Sequence, residues 1–292
     1  MSASSSNTDT SMVDPGQAAR VAFPNAKINV GLQVRGRRPD GFHALDSLFV
    51  PIPWCDALEM ATPGTQNDVA LHLAGNAVDG APEDNLIVRA YRLLQKDFPL
   101  PPCDFHLVKA IPSGAGLGGG SADGTATLTL LNSHFSLGLS QARLETLAGK
   151  LGSDCPFFVS NTPARVTGRG EVLTPIDLAL DGWHIALLHP GVHVPTAAAF
   201  SWVTPDDDRP GLDEWAGSGP EDWKGHLKND FTAPVCDRHP EVGQALSLLQ
   251  EAGATFADMS GSGSTAYGFF KDAVEWPAVP EQWTRWTGPM RG

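Results

Sequence analysis

The chain has 292 residues, 41% of them hydrophobic, and a formal net charge of −13. That length and apolar content suffice for a substantial core in one or two domains, while the acidic balance argues against nucleic acid as a partner and requires any anionic ligand to be held by local positive groups. Its four cysteines, Cys55, Cys103, Cys155 and Cys236, form no C-x-x-C pair, so neither a zinc knuckle nor a dithiol redox motif is signalled.

Residues 1–20 are polar, rich in Ser, Thr and Asp, and without apolar periodicity, which predicts a disordered tail. The stretch lacks the apolar segment of a secretory signal, and its acids argue against a transit peptide. No later run is long and apolar enough to span a bilayer, so the cytoplasm is the expected compartment and no membrane partner is expected. From Ala26 to Arg35 the sequence alternates strictly, with Ala26, Ile28, Val30, Leu32 and Val34 on one face and Lys27, Asn29, Gly31, Gln33 and Arg35 on the other. This predicts a half-buried strand whose polar face sets Lys27 beside Asn29. Pro39-Asp40-Gly41 makes a turn, and Phe42 to Ile52 returns as the second arm of a hairpin.

Over residues 84–98 the apolar positions fall at helical spacing, with Asp84 or Asn85 as the cap. Phe105 to Ile111 reads as a strand and Ser121 to Asn132 as a helix. Between them, residues 112–123 run Pro-Ser-Gly-Ala-Gly-Leu-Gly-Gly-Gly-Ser-Ala-Asp. Glycine removes the Cβ that would block close approach, and a following helix aims unpaired N–H groups at an anion. A phosphate loop is the natural reading. The Walker pattern fails for want of a Gly-Lys-[Ser/Thr] ending, and the dinucleotide fingerprint lacks its second strand with an acid about 20 residues on. A flexible linker seldom opens with Pro and closes with a helix-capping Ser. Gly124, inside the helix, predicts close packing at that point.

A second helix starts at Ser140, with Leu139 and Leu144 as a hydrophobic staple and Gly152 as the stop. Ser153-Asp154-Cys155-Pro156 then suggests another helix start with Asp154 in its first turn. The remainder alternates short apolar runs with turns: Trp183 to His189, Val192 to Thr196, a helix over 241–252, the glycine-serine run from Met259 to Thr265, and Ala266 to Phe270. The acids of residues 204–224 read as a solvated loop rather than a metal site, and the late tryptophans as packing or a dimer contact; a monomer or a homodimer is expected. Strands and helices segregate, which favours an α+β fold.

Three stretches, Pro24-Asn25-Ala26-Lys27-Ile28-Asn29, the glycine loop through Ser121, and Met259 to Thr265, occur in the order of the three motifs of the GHMP small-molecule kinases, which the chain resembles from about residue 22 to 270. Within that superfamily it is most similar to the kinases acting on a cytidine-diphosphate methylerythritol. The similarity is carried by Arg38-Pro39-Asp40-Gly41-Phe42-His43, Glu83-Asp84-Asn85-Leu86-Ile87, the triple glycine 118–120, Leu151 to Phe158, and His189-Pro190-Gly191-Val192. The resemblance implies a two-domain fold, residues 21–176 and 177–292, with the active site in the cleft between them. It implies ATP and Mg2+ as cofactors and the 2-hydroxyl of that small molecule as phosphoryl acceptor.

By motif, Asp154 corresponds to the catalytic aspartate and Lys27 to its lysine partner. A carboxylate can orient a poorly nucleophilic tertiary alcohol and take its proton, while an ammonium stabilises charge on the transferring phosphoryl group. Pro112, Gly114, Ala115, Gly116, Leu117, Gly118, Gly119, Gly120 and Ser121 would hold the ATP phosphates, and Asn85 approaches the nucleotide. Phe42 and His43 would take the cytosine, with Asn29, Pro195 and Thr196 in the acceptor pocket. No metal ligand is named beyond the suggestion of Ser121. Taken alone, Lys27 reads as an exposed strand lysine, Phe42 as a core residue and His43 as a turn residue. The alternatives to the acceptor are mevalonate or homoserine, and the alternative to catalysis is a silent ligand-binding regulator on the same fold. Asn229-Asp230-Phe231-Thr232 departs from the family pattern and receives no catalytic role.

Overall fold

A short strand β1 (Arg20–Ala22) leads into the long hairpin that the alternation predicts, β2 (Asn25–Arg37) antiparallel to β3 (His43–Cys55). The computed structural model describes residues 20–38 and 41–290; all of the expected tail except Arg20, together with Pro39 and Asp40 of the expected turn, lies outside the described residues. Then follow β4 (Ala57–Ala61), β5 (Ala70–Gly75), α1 (Leu86–Gln95), β6 (Asp104–Lys109), α2 (Gly119–His134), α3 (Gln141–Ala148), α4 (Phe157–Ser160), β7 (Ala164–Gly168) and β8 (Val172–Pro175). The later chain supplies β9 (His184–His189), α5 (Thr196–Ser201), α6 (Pro220–Trp223), α7 (Thr232–Arg238), α8 (Pro240–Glu251), β10 (Phe256–Met259), β11 (Ala266–Phe270) and β12 (Thr284–Pro289). Three four-stranded sheets result, ordered β1-β4-β6-β5, β2-β3-β7-β8 and β10-β11-β9-β12. Among the described strands only β5 and β6 pair in parallel, and the fold is α+β as expected. Among the described residues no helix is long and apolar enough to cross a membrane.

The largest apolar cluster joins the second and third sheets: Ile28, Val30, Leu48 and Val50 meet Ile185, Leu187, Tyr267 and Phe269 in it. A second cluster seats α1, α2 and α3 on β4 and β6 through Ile87, Leu94, Leu128, Leu147, Met60 and Phe105. The late tryptophans serve packing. Trp223 is wholly buried in the first cluster, Trp283 lies in the cluster between α8 and its sheet, and Trp286 stacks on Trp54 with centroids 5.7 Å apart.

The half-buried reading of β2 needs correction in two respects. Lys27 and Asn29 are 3% and 2% exposed, because the glycine loop and the chain around Ser260 close over the face that periodicity alone leaves open. The strict alternation also breaks at Gly31 (φ 63°), where the register against β3 shifts between Val30 and Leu32. An extra residue in one strand reverses the side on which those after it point. Leu32 therefore faces the cleft with Lys27 and Asn29, and with Val34 it joins the cluster of Val194, Ala199, Phe231 and Met259 instead of the one holding Ile28 and Val30.

Helix ends also differ from expectation. α2 begins at Gly119 behind a left-handed Gly118, so Ser121 stands inside the first turn and is not the cap. Asn85, not Asp84, caps α1 by accepting from the Ile87 N–H at 3.0 Å. α3 has its Ser140 cap but stops at Ala148, short of Gly152. Asp154 lies in the turns before α4 rather than in its first turn. Val192 to Pro195 forms no strand, and Thr196 opens α5. The acidic 204–224 stretch is strapped down: Arg209 pairs with Asp230 at 2.6 Å, Arg165 with Asp213 at 2.8 Å, and Leu212 is buried.

Beneath the glycine loop lies a buried ionic cluster. Lys109 at the end of β6 pairs with Asp56 and, at 2.9 Å, with Asp123 of α2, while Asp56 Oδ1 accepts from the N–H groups of Ala110 (2.6 Å) and Ile111 (2.8 Å). Burial pushes the Asp123 carboxyl up to about 7 against the opposing pull of the Lys109 ammonium, with Asp56 adding to the rise. The folded state thus holds a proton that the unfolded chain releases above about pH 4, so the contribution of Asp123 to stability is largest in acid and falls as pH rises through about 7. Asp123→Asn cannot ionise; its melting temperature relative to the parent should climb between about pH 5 and about pH 8. A constant difference over that range would show that Asp123 does not titrate there. At Gly124 a Cβ would stand 2.8 Å from Leu86 Cβ. Overpacking of that kind costs about 1–3 kcal/mol, against about 1 kcal/mol of gained helix propensity, so Gly124→Ala should lower the denaturant midpoint with an unchanged m-value. A raised midpoint would mean that α1 and α2 yield freely.

Candidate active site

A cleft of about 1200 Å³ is lined by Lys27, Asn29, Phe42, His43, Asn85, Pro112, Gly114, Ala115, Gly116, Gly118, Gly119, Gly120, Ser121, Asp154 and Thr196. Two of the expected site residues do not line it. Leu117 turns into the large apolar cluster at 1% exposure, and Pro195 lies at the mouth of α5 as its capping position.

Lys27 is tightly held in the cleft. Its Nζ donates to Asn29 Oδ1 at 2.6 Å, stands 3.4 Å from Asp154 Oδ2, and rests 4.3 Å from the centre of the Phe49 ring. The side chain reaches this place by crossing the glycine loop: a Cβ on Gly118 would meet Lys27 Cγ and Phe158 Cζ at 3.0 Å. The Lys27 N–H donates to the Leu117 carbonyl at 2.9 Å, tying strand to loop directly. Asp154 is the more accessible partner, its side chain 30% exposed. Asn29, expected in the acceptor pocket, spends both side-chain functions internally, since its Nδ2 donates to Ser47 Oγ at 2.9 Å. Next to Asp154, burial pushes the Cys155 thiol up to about 11, so it is no nucleophile at neutral pH.

The loop itself closes on two supports. Gly116 (φ 79°) leaves no room for a side chain, because a Cβ would fall on the Ser260 carbonyl. Ser260 Oγ donates to the Gly116 carbonyl at 2.7 Å, and the Thr265 N–H donates to the Ala115 carbonyl at 3.3 Å. With its carbonyls held from behind, the loop can turn N–H groups and the start of α2 toward the cleft. Gly119 also passes close over Lys109, whose Nζ would stand 2.7 Å from a Cβ there.

Aromatic rings form another part of the wall. His43 stacks on Phe200 of α5 with centroids 4.9 Å apart and planes 10° from parallel, and Phe200 meets Phe231 edge-on at 4.9 Å. Phe42 is 55% exposed, with the Arg169 guanidinium 5.0 Å from its ring centre. Thr196 Oγ1 lies 3.1 Å from Ser262 Oγ. Sequence reading missed Phe49, Ser47, Arg169 and Phe200, which belong to no motif and converge only through β3, β7 and α5. It found Ser260 within the third glycine-rich motif without giving it a task.

Two family models match: the GHMP kinases N terminal domain over residues 85–162 and the GHMP kinases C terminal over residues 223–286. The chain is 46% identical over 252 residues to the 4-diphosphocytidyl-2-C-methyl-D-erythritol kinase of Bacteroides thetaiotaomicron, covering 86% of this chain and 92% of that one. A solved 4-(cytidine 5'-diphospho)-2C-methyl-D-erythritol kinase superposes with a TM-score of 0.72 at 31% identity, covering 85% of this chain and 89% of the other. The mevalonate kinase of Methanococcus jannaschii shares the fold at a TM-score of 0.59 and 10% identity, over 94% and 99% of the two chains. The chain belongs to the GHMP kinase family and is an ATP-dependent small-molecule kinase.

Proposed function

We propose that this kinase transfers the γ-phosphoryl group of ATP to the 2-hydroxyl of 4-diphosphocytidyl-2-C-methyl-D-erythritol, a step toward isoprenoid precursors; two of the relatives described above are kinases of that compound. The observation that carries the proposal is the Lys27–Asp154 pair, 3.4 Å apart, in one cleft with the glycine loop and the Phe42–His43 wall. The acceptor oxygen attacks the γ-phosphorus, the bond from phosphorus to the bridging oxygen breaks with its electron pair leaving on ADP, and Asp154 takes the hydroxyl proton. Lys27 offsets charge on the transferring group, and Asn29 holds the amine in place for that task.

The glycine loop from Pro112 to Ser121 cradles the phosphates, and Asn85 presents the start of α1 beside them. Magnesium neutralises phosphate charge when bound. Among the described residues no group of three His, Cys, Asp or Glu forms a cage for a metal, which suits an ion held mainly by phosphates and water. The half-buried Ser121 hydroxyl at the start of α2 would contribute the protein oxygen. Phe42 offers a ring face to the cytosine, His43 is held against Phe200 beside it, and Thr196 lines the acceptor pocket.

Mass spectrometry of the acceptor after incubation with purified protein, ATP and Mg2+ tests the assignment; a gain of one phosphoryl group is expected, and an unmodified acceptor beside phosphorylated mevalonate or homoserine would reassign it. Asp154→Asn keeps the shape and removes proton acceptance, so kcat should drop by about 10²–10⁴ while ATP binding holds. Near-normal turnover would remove Asp154 from its role as base. Phe42→Ala should raise the acceptor KM by about 5- to 150-fold and spare that of ATP, in line with about 1–3 kcal/mol for base stacking. Equal losses for both ligands would make the ring structural.

A further inference from the structure

Lys27 owes its position to Asn29, and Asn29 is held from the far part of the chain. The Asn29 N–H donates to Ser260 Oγ at 3.2 Å, and its carbonyl accepts from the Tyr267 hydroxyl at 2.9 Å. Ser260 and Tyr267 are both wholly buried, and burial keeps the Tyr267 phenol far above its ordinary value, hence always a donor. β2 is an edge strand of its sheet, so the outward peptide groups of Asn29 have no neighbouring strand to pair with. Register shifts flank the site at Asn25/Ala26 and Val30/Leu32, which loosens the definition that the ladder to β3 could give. The Ser260 hydroxyl, meanwhile, donates a hydrogen bond to the Gly116 carbonyl at 2.7 Å.

We propose that Ser260 and Tyr267 are positioning residues for phosphoryl transfer, a two-point clamp on the Asn29 peptide that sets the Lys27 amine, with Ser260 the member of the pair that also bonds the phosphate loop. The inference rests on the role given to Lys27 above. The two halves of the clamp have separable consequences. The Tyr267 hydroxyl bonds the strand and not the loop, so removing it while keeping the ring acts on the amine first. Ser260 touches both, so its loss disturbs the amine and the nucleotide cradle together.

Steady-state kinetics of the full chain, with ATP, Mg2+ and the cytidine-diphosphate acceptor, test this. Tyr267→Phe, which retains the ring, should lower kcat about tenfold and leave both KM values within about twofold, the signature of a displaced group acting in the transition state. Ser260→Ala should lower kcat by a similar factor and also raise the KM for ATP about three- to tenfold. In a Lys27→Met background, Tyr267→Phe should reduce the residual kcat no further, because the group it positions is gone. An unchanged kcat in Tyr267→Phe, a change confined to KM, or the same fractional loss with and without Lys27 would overturn the clamp. Should Ser260→Ala fail to fold, the Tyr267→Phe pair of measurements decides alone. Full activity in Lys27→Met would overturn the reading of Lys27 itself and the clamp with it, whereas an inactive Lys27→Met beside an unimpaired Tyr267→Phe would sink the clamp only.

Discussion

The open edge of β2 is the constraint on which the catalytic cleft depends. An edge strand presents a row of unpaired N–H and C=O groups, and burying such a row without partners is costly. Among the described residues no strand covers this one; loops do. Lys27 N–H meets the glycine loop at Leu117, Asn29 meets Ser260 and Tyr267, Leu32 exchanges bonds with Lys228 and Asp230, and Val34 binds Asp230 and Asp206. Each pairing draws a functional segment onto the same line. The phosphate loop, the third glycine-rich motif and the Asn229-Asp230 segment are therefore aligned by one unsatisfied backbone edge.

The glycines follow from that crowding. Gly116 lets the loop carbonyl approach Ser260, and Gly118 lets the Lys27 stem cross the loop. Asn229 extends the bracket: its Nδ2 donates to the carbonyls of Met259 and Gly261 at 2.7 Å, and its N–H donates to Asp258 at 2.8 Å. Burial raises Asp258 to about 6 although Thr232 and the N–H groups of Met259 and Asn229 donate to it. Asn229 to Thr232, which departs from the family pattern in sequence, thus acts as a brace for the third motif.

Local chemistry made much of this legible. Periodicity found β2, β3, β9, β11 and α8; cap and staple residues found the start of α3; and Gly124 announced the contact with Leu86. The family resemblance grouped Lys27, the glycine loop and Asp154, and in the folded chain all three line one cleft. The errors have a shared origin in tertiary structure. The bulge at Gly31 cannot be read from an alternation that stays perfect through it. The start of α2 is set by a left-handed Gly118 among equivalent glycines, and the burial of Lys27 by segments about 90 and about 230 residues away. Phe200, Phe49 and Arg169 carry no local signal, because their neighbours in the cleft come from other strands and helices.

Charge is distributed with similar economy. A chain with a net charge of −13 must accept polyanionic nucleotides, yet its cleft cations are already matched: Lys109 by Asp56 and Asp123, Lys27 by Asp154, and Arg169 by Glu171 at 3.8 Å. In the function proposed, phosphate binding falls to neutral donors, the loop N–H groups and the first turn of α2, whose dipoles are fixed by the same contacts that order the loop. Such donors need no counter-ion of their own and undergo little reorganisation as charge moves. That division leaves Lys27, whose carboxylate partner is itself the proposed base, to follow the phosphoryl group as it transfers. A lysine that bound the resting phosphates as tightly as the transition state would lower KM without raising kcat.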